Sequence, residues 1–436
     1  MTTPSAIANA TFAPKVPREV TALLAALQFC GADTEALQEL SDTEWHSLLR
    51  FCELAHLTLP LAQLSLNRVP AWVTQRLQAN VSDNALRFLR VQATYREVAR
   101  ALDQAGVEHI VIKGFTQAPD YVPHPHLRVQ SDLDLCCPPD QLDRARSALE
   151  AIGYRSDTRE DYGRADHSPT MIRPGKWTWR GNAFDPEMPL SVELHFCLWN
   201  NDTALFPIPE TDQFWHRRIA RSVAGLDFPA LDPIDHLGHL TLHILRNILS
   251  RDTIVHHVYE LASFLDAHAA DDAFWTAWKT THTDSLRARE AIAFYHARLW
   301  FRCDIHPAVR EQIDALPPRQ TSWLERFGSS ALEVMFHEIK DAVWLHMTLL
   351  DTPLSKLTLL RRSFLPNRVP SPARPAAPIV VRAAAASNRN KGASSNVVSY
   401  FALRTISYAR ANISTVARGL GWHLSRHASR ISSGSS

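Results

Sequence analysis

The sequence predicts an α/β protein of the α+β kind, in which a small mixed sheet lies between N-terminal and C-terminal helical regions. Three observations predict it. From about residue 17 to residue 106, apolar residues recur at three- and four-residue spacing, as in amphipathic helices. Residues 107–200 then follow the order strand, strand, helix, strand. From Asp232 to about Leu349 the pattern is helical again, which gives a helical domain over residues 201–350.

The composition is that of a globular protein with more than one domain. The chain has 436 residues, of which 45% are hydrophobic and 21% charged, so it is long enough for two or three domains. Its six cysteines show no metal-type spacing, which favours a reducing compartment. We see no signal peptide and no run of about 18 apolar residues. We therefore expect a cytoplasmic protein without a transmembrane segment.

The N-terminal helical region is predicted to follow a disordered segment. Residues 1–16 are rich in Ala, Thr and Pro, and the helical pattern begins after them. The last helix of this region spans about residues 84–105. It ends at Gly106, a residue type common just after helix ends.

The predicted sheet core occupies residues 107–200. A β-branched strand at residues 108–112 ends in Lys113-Gly114. A second strand covers residues 131–137. A helix over residues 141–152 follows, with prolines before its first turn and a glycine after its end. A later strand spans residues 191–198.

Two carboxylates stand two residues apart on the second strand, Asp132 and Asp134. Strand side chains alternate, so both share a face while Leu133 and Leu135 face the core. With Glu193 from the later strand they would form an oxygen cage for Mg²⁺, with Mn²⁺ as the alternative. An acid-x-acid pair arises by chance about four or five times at this composition, and the alternative is a pair of solvated side chains. The surrounding sequence therefore carries the prediction.

The Lys113-Gly114 turn is suited to a phosphate. Glycine permits positive φ and close approach of the backbone, and the Lys113 ammonium could contact a triphosphate oxygen. Arg128, four residues before Asp132, could neutralise charge on a transferred phosphoryl group. For both cations the alternative is an ordinary surface position.

Histidines supply further candidates. His195 shares a strand face with Glu193 and could orient that carboxylate or contact substrate. One face of the helix after Pro233 carries three more: His236, His239 and His243. These three fit a metal site, a substrate pocket or a polar face packed on another domain, and we take His239 and His243 as pocket candidates. Asp166-His167 is a weaker candidate.

The C-terminal segment differs in charge from the rest of the chain. The last acidic residue is Asp351, and the residues after it include 13 Lys and Arg. The part up to Asp351 has a net charge of −12, whereas the whole chain has +1. We predict a Pro/Ala/Ser-rich linker over residues 351–396, a basic amphipathic helix over 397–428 and a disordered tail over 429–436. This tail could lie on an anionic membrane, making the protein membrane-peripheral, bind RNA, dock as a helix or fold back on the acidic body.

Taken together, these segments resemble the bacterial family called uncharacterised nucleotidyltransferases, which belongs to the polymerase-β-like nucleotidyltransferase superfamily. The similar segments, in chain order, are Ile112 to Gly114, Leu127-Arg128, Ser131 to Leu135, residues 141–154, Val192 to His195, residues 231–243, residues 258–262 and residues 361–366. The resemblance covers roughly residues 20–370.

The resemblance implies a nucleotidyltransferase core over residues 107–200, with Asp132, Asp134 and Glu193 as catalytic metal ligands. It also implies an NTP such as ATP as co-substrate. The implied nucleotide contacts are Lys113, Gly114, Thr116, Arg128 and Ser131. The superfamily usually has Gly-Ser or Gly-Gly in the phosphate turn, whereas Phe115 follows Gly114 here, so either Thr116 supplies the hydroxyl or none is needed.

The implied reaction is transfer of a nucleotidyl group from an NTP to a hydroxyl or phosphate acceptor. Two alternatives use the same residues. One is a phosphotransferase acting on a small molecule or peptide, and the other is a non-catalytic nucleotide-binding protein. The acceptor is not named by the sequence.

Overall fold

The computed structural model describes residues 16–157, 166–252, 255–365 and 396–433, with side chains of the last helix described for 405–424. The predicted disorder at residues 1–16 lies, except for Val16, outside these ranges, as does most of the predicted linker. The chain forms two compact units. The larger consists of Arg18–Leu245 and Val255–Ala315, and the smaller includes Arg246–Ile254 and Leu316–Ser436. The predicted domain boundaries stay a prediction.

A mixed sheet lies in the larger unit, which confirms the predicted fold class. Its strands are β1 (Ile110–Ile112), β2 (Asp132–Cys136), β3 (Arg155–Ser156), β4 (Met171–Ile172), β5 (Ser191–His195), β6 (Ile219–Val223) and β7 (Leu226–Ala230). In the described residues the seven strands are ordered β3-β4-β5-β2-β1-β7-β6. The pairs β2–β5 and β1–β7 are parallel, and the other pairs are antiparallel.

Helices surround this sheet in sequence on both sides, as predicted. They are α1 (Arg18–Ala26), α2 (Glu35–Gln38), α3 (Asp42–Ala55), α4 (Thr58–Ala62), α5 (Ala71–Gln104), α6 (Leu142–Ala151), α7 (Asn201–Ala204), α8 (Thr211–Phe214), α9 (Pro233–Ser250), α10 (Val255–Ala267), α11 (Asp272–Thr281), α12 (Asp284–Phe301) and α13 (Pro307–Asp314). Helix α5 begins earlier than the predicted residue 84. No Gly or Pro interrupts it after Pro70, so the helix continues to the glycine turn at Gly106.

One hydrophobic core of the larger unit packs against one face of the sheet. Alternate residues of β2 and β5 enter it together with apolar residues of α5 and α6: Leu133, Leu135, Val192, Leu194, Phe88, Val91, Tyr95, Val98, Ala145 and Leu149. Because strand side chains alternate, the intervening polar residues of β2 and β5 must share the opposite face. The pleat thus separates the packed face from the candidate site.

The smaller unit is helical. Its helices are α14 (Pro318–Phe327), α15 (Ser330–Glu333), α16 (Ala342–Leu349), α17 (Pro353–Phe364) and α18 (Asn396–Ser433). Helix α17 corrects the predicted linker over residues 351–396. The Thr352 side chain caps its start by accepting a hydrogen bond from the Ser355 amide, and Pro353 lies in its first turn, so the helix forms ahead of the proline-rich stretch.

The last helix is longer than predicted. Helix α18 reaches Ser433, so most of the tail predicted to be disordered over residues 429–436 is helical. Over the described ranges, no helix has the length and apolar character needed to cross a membrane.

Candidate active site

The pairing of three strands brings the predicted site residues together. On the parallel strands β2 and β5, Asp134 lies opposite Glu193. On the antiparallel strand β1, Ile112 lies opposite Asp134, so Lys113 leaves the sheet beside that carboxylate. The sequence motifs, which are up to 80 residues apart, therefore meet on one face of the sheet.

The Lys113-Gly114 turn has an unusual backbone. Lys113 has φ +57° and ψ −157°, and Gly114 has φ +55°. Residues other than glycine rarely adopt the first conformation, which costs about 1–3 kcal/mol and is commonest at functional sites. Lys113 Nζ lies 2.8 Å from Asp134 Oδ1. The ammonium predicted to contact a triphosphate is thus paired with a predicted metal ligand.

Gly114 is packed against a side chain that sequence reasoning missed. A Cβ on Gly114 would lie 2.7 Å from Cδ and 2.9 Å from Oε1 of Gln130. Gln130 Nε2 donates a hydrogen bond to the Asp132 carbonyl, at 2.7 Å. The backbone carbonyl of Gln130 accepts a hydrogen bond from Arg87 Nε on α5, at 2.9 Å. The glycine, the amide and the buried guanidinium together fix the start of β2.

His195, at the end of β5, lies beside the carboxylates of both Asp134 and Glu193. Its Nε2 lies 2.8 Å from Asp134 Oδ1 and 3.8 Å from Glu193 Oε2. Ligand atoms of Asp134, Glu193 and His195 all lie within 4.8 Å of one another. Asp132 shares their face but is not a member of this tight set. The close donor group therefore includes the histidine as well as two of the three predicted carboxylates.

Charge on this face changes the pKa values of the two aspartates in opposite directions. Burial, followed by the negative charges of Asp134 and Glu193, raises the pKa of Asp132 to about 7. Burial opposes ionisation of Asp134 too, but Lys113 and the hydrogen bond from His195 hold its pKa below the ordinary value. The site therefore contains an ionised Asp134 and an Asp132 that titrates near neutral pH.

The segment directly before β4, residues 166–170, completes the surroundings of Glu193. Thr170 Oγ1 donates to Glu193 Oε1 at 3.1 Å, and His167 Nε2 lies 3.8 Å from Glu193 Oε2. Asp166 Oδ2 lies 3.8 Å from His195 Nδ1. The weak Asp166-His167 candidate thus lies at the site. Thr170 was missed because it belongs to no motif.

Arg128 and two hydroxyl residues have partners other than those the sequence suggested. Arg128 Nε lies 2.6 Å from Glu260 Oε1 of α10, and both side chains are at least nine-tenths buried. Thr116 is buried, and its hydroxyl donates to the Lys113 carbonyl at 2.7 Å. Ser131 Oγ lies 3.4 Å from Asp132 Oδ2. The nucleotide-binding roles of these residues stay predictions.

The pocket histidines belong to a group of imidazoles on α9 and α10. The ring centroids of His239 and His243 are 6.3 Å apart, and those of His243 and His257 are 4.7 Å apart. Burial, followed by the charges of Arg128 and Lys113, keeps the pKa of His257 well below its usual value. Its lowered pKa favours the neutral form of His257. Among the described residues, His236, His239 and His243 do not form one of the tight donor sets.

Comparison with known proteins agrees with this geometry. A family model described as "uncharacterised nucleotidyltransferase" matches residues 41–302, more than half of the chain. The chain belongs to this nucleotidyltransferase family. The match spans all the sheet residues described above, from Lys113 to His195, and the helices that carry Arg87 and Glu260. No curated protein and no solved structure matches the chain.

Proposed function

We propose that this nucleotidyltransferase uses Mg²⁺ or Mn²⁺ to transfer a nucleotidyl group from an NTP to a hydroxyl or phosphate acceptor. The observation that carries the proposal is the register of β2 with β5, which sets Asp134 beside Glu193. Asp132 lies two residues earlier on the same face. The acids come from different motifs, and the fold alone brings them together.

The donor atoms fit a divalent cation. Carboxylate oxygens are the ligands that Mg²⁺ prefers, and an imidazole nitrogen beside them also suits Mn²⁺. The raised pKa of Asp132 supports the same conclusion. Burial, followed by repulsion from Asp134 and Glu193, favours a proton there, and a cation would relieve that repulsion.

In the proposed reaction an acceptor oxygen attacks the α-phosphorus of the NTP. The bond from that phosphorus to the bridging oxygen breaks, and pyrophosphate leaves. A bound divalent cation would neutralise phosphate charge and activate the acceptor oxygen. Glu193 would accept the proton of an acceptor hydroxyl. Its side chain is partly exposed and is oriented by Thr170.

Lys113 would contact the triphosphate after changing partner. Here its ammonium and His195 offset the charge of Asp134. Once Asp134 ligates a cation, that compensation is no longer needed, and Lys113 becomes available to a phosphate oxygen. The backbone turn at Lys113 sets its ammonium beside Asp134, at the edge of the proposed triphosphate site.

The direct test is to follow both products. Purified protein is incubated with Mg²⁺, each of the four NTPs and a pool of acceptors, and the products are weighed by mass spectrometry. A whole nucleotide added to an acceptor, with release of pyrophosphate, supports the proposal. Addition of phosphate alone would instead indicate a phosphotransferase.

Two substitutions of acidic residues, one in the site and one outside it, form a matched test and control. Glu193→Gln should abolish turnover, because it removes a ligand and the proton acceptor. Asp143→Asn should leave turnover unchanged, because Asp143 is an exposed residue of α6, which packs on the other face of the sheet. Equal turnover in the two variants would contradict the proposed site.

A further inference from the structure

Helix α18 packs a mixed face, which includes Thr415, Arg418 and the buried Trp422, against the rest of the smaller unit. Arg418 Nη2 lies 2.8 Å from Asp341 Oδ2. Lys340 Nζ donates to Asn412 Oδ1 at 2.7 Å, and the Lys340 amide donates to Thr415 Oγ1 at 3.2 Å. These contacts fix the rotation of the helix about its axis, so the opposite face must point to solvent.

The outward face is apolar. Five large side chains at three- to seven-residue spacing are exposed along it: Ile406, Ile413, Val416, Leu420 and Leu424. Ile413 is 70% exposed and Leu424 69%. A helix on a protein surface ordinarily buries its apolar stripe and exposes its polar face. This helix instead leaves a stripe of large apolar side chains exposed, which indicates that the stripe contacts something else.

Helix α17 also exposes large apolar side chains. Leu354 and Leu357 are 74% and 64% exposed. The C-terminal end of α17 touches α18, because Asn412 Nδ2 donates to the Phe364 carbonyl at 3.3 Å. Of the 13 large apolar side chains that are exposed in the described residues, eight lie between Leu354 and Leu424. Exposed apolar surface is thus concentrated in one part of the chain.

The same part of the chain excludes negative charge. No Asp or Glu follows Asp351, whereas 13 Lys and Arg do. Arg361 and Arg410 are exposed beside the apolar residues of α17 and α18. Apolar burial and attraction of cations to anionic headgroups are the two signals that together give stable binding at a lipid surface.

We propose that α17 and α18 form a docking surface for an anionic lipid bilayer, on which α18 lies with its stripe in the headgroup region. A second copy of the chain fits less well, because it would bring together two basic segments without acids. RNA also fits less well, because isoleucine and leucine side chains offer nothing to phosphates. Only the lipid surface uses both the apolar stripe and the absence of acids.

Vesicle flotation of the full-length protein tests the proposal. Vesicles of phosphatidylcholine with about 30 mol% phosphatidylglycerol should carry the protein, and pure phosphatidylcholine should carry much less, with binding reduced by salt. Replacing two stripe residues, Ile413→Ser with Leu420→Ser, should weaken binding by at least about tenfold. Arg361→Glu with Arg410→Glu should weaken binding to the anionic vesicles and not to the neutral ones.

A matched pair of exposed leucines controls for general loss of apolar surface. Leu86 and Leu89 of α5 are 56% and 59% exposed and lie outside the acid-free segment. Leu86→Ser with Leu89→Ser should bind vesicles as the wild type does. Thermal unfolding establishes that each variant is folded.

Three results would overturn the proposal. One is that the folded wild type does not float with anionic vesicles. Another is that the Leu86/Leu89 pair loses binding as much as the Ile413/Leu420 pair does. The third is a concentration-dependent dimer or an RNA complex that the Ile413/Leu420 pair abolishes while vesicle binding is unchanged.

Discussion

Gly114 should be irreplaceable for two separable reasons, its backbone conformation and its contact with Gln130. The change to make is Gly114→Ala. Its φ of +55° is unfavourable for alanine, and the new Cβ would collide with the amide of Gln130. The amide could move away, but only by giving up its hydrogen bond to the Asp132 carbonyl.

The two costs can be estimated separately. Left-handed backbone costs alanine about 1 kcal/mol relative to glycine. The lost hydrogen bond of a buried amide costs about 1 kcal/mol more. Gly114→Ala should therefore lower the free energy of unfolding by about 2 kcal/mol. It should also reduce turnover, because the start of β2 shifts with Gln130.

Gly106→Ala is the matched control. Gly106 has φ +64°, and a Cβ added to it would meet open space within 4 Å, so this variant should lose about 1 kcal/mol and keep full turnover. Urea denaturation and initial rates measure both quantities. In a Gln130→Ala background, adding Gly114→Ala should lower the free energy of unfolding only by the cost of the left-handed backbone, about 1 kcal/mol. If Gly114→Ala were no more harmful than Gly106→Ala in either assay, the contact with Gln130 would not have the proposed role.

Three further predictions concern protons and buried charges. The pKa of Asp132 is about 7, so protons should compete with the metal for this carboxylate. The affinity for Mn²⁺ should therefore fall by about tenfold per pH unit below 7. An affinity that does not change between about pH 5 and 8 would count against this. Although burial opposes its protonation, Glu290 and Asp235 raise the pKa of His282 to about 9 from 6.5, so its stabilising charge is fully present below pH 6.5 and lost as pH rises through 9. The destabilisation measured for His282→Gln by urea should accordingly shrink above pH 9, and a constant difference would contradict it. Arg128→Met should lower the free energy of unfolding by about 3–5 kcal/mol, because it leaves Glu260 buried without its guanidinium partner. Adding Glu260→Gln should recover most of this loss. A stable Arg128→Met protein that lacks only turnover would instead indicate that Arg128 contacts a phosphate.

Local patterns in the sequence predicted the polar face of the sheet. The period of two in β2 places Leu133 and Leu135 in the core and leaves Asp132 and Asp134 on the other face, whatever the rest of the chain does. The turn at Lys113-Gly114 was equally local, and glycine marked it. These features needed no knowledge of distant contacts.

Contacts between distant residues were not predictable in the same way. The partner of Arg128 is Glu260, 132 residues away, and no pattern near either residue indicates the other. Gln130 and Arg87 likewise act through packing. A signal for Arg87 did exist, since it shares a helical face of α5 with the buried residues Asn84 and Val91, where a cation needs a partner. Which face of α18 points inward also depends on Lys340 and Asp341, and the sequence of the helix itself does not reveal this.

Mn²⁺ binding, followed by electron paramagnetic resonance in wild type, Asp134→Asn and Asp143→Asn, is the most direct test of the metal site. Asp134 belongs to the tight donor set with Glu193 and His195, whereas Asp143 is exposed on α6. We expect tight Mn²⁺ binding that Mg²⁺ displaces, weakened at least about tenfold by Asp134→Asn and unchanged by Asp143→Asn. Equal Mn²⁺ affinity in folded Asp134→Asn and wild type would contradict the assignment of this site.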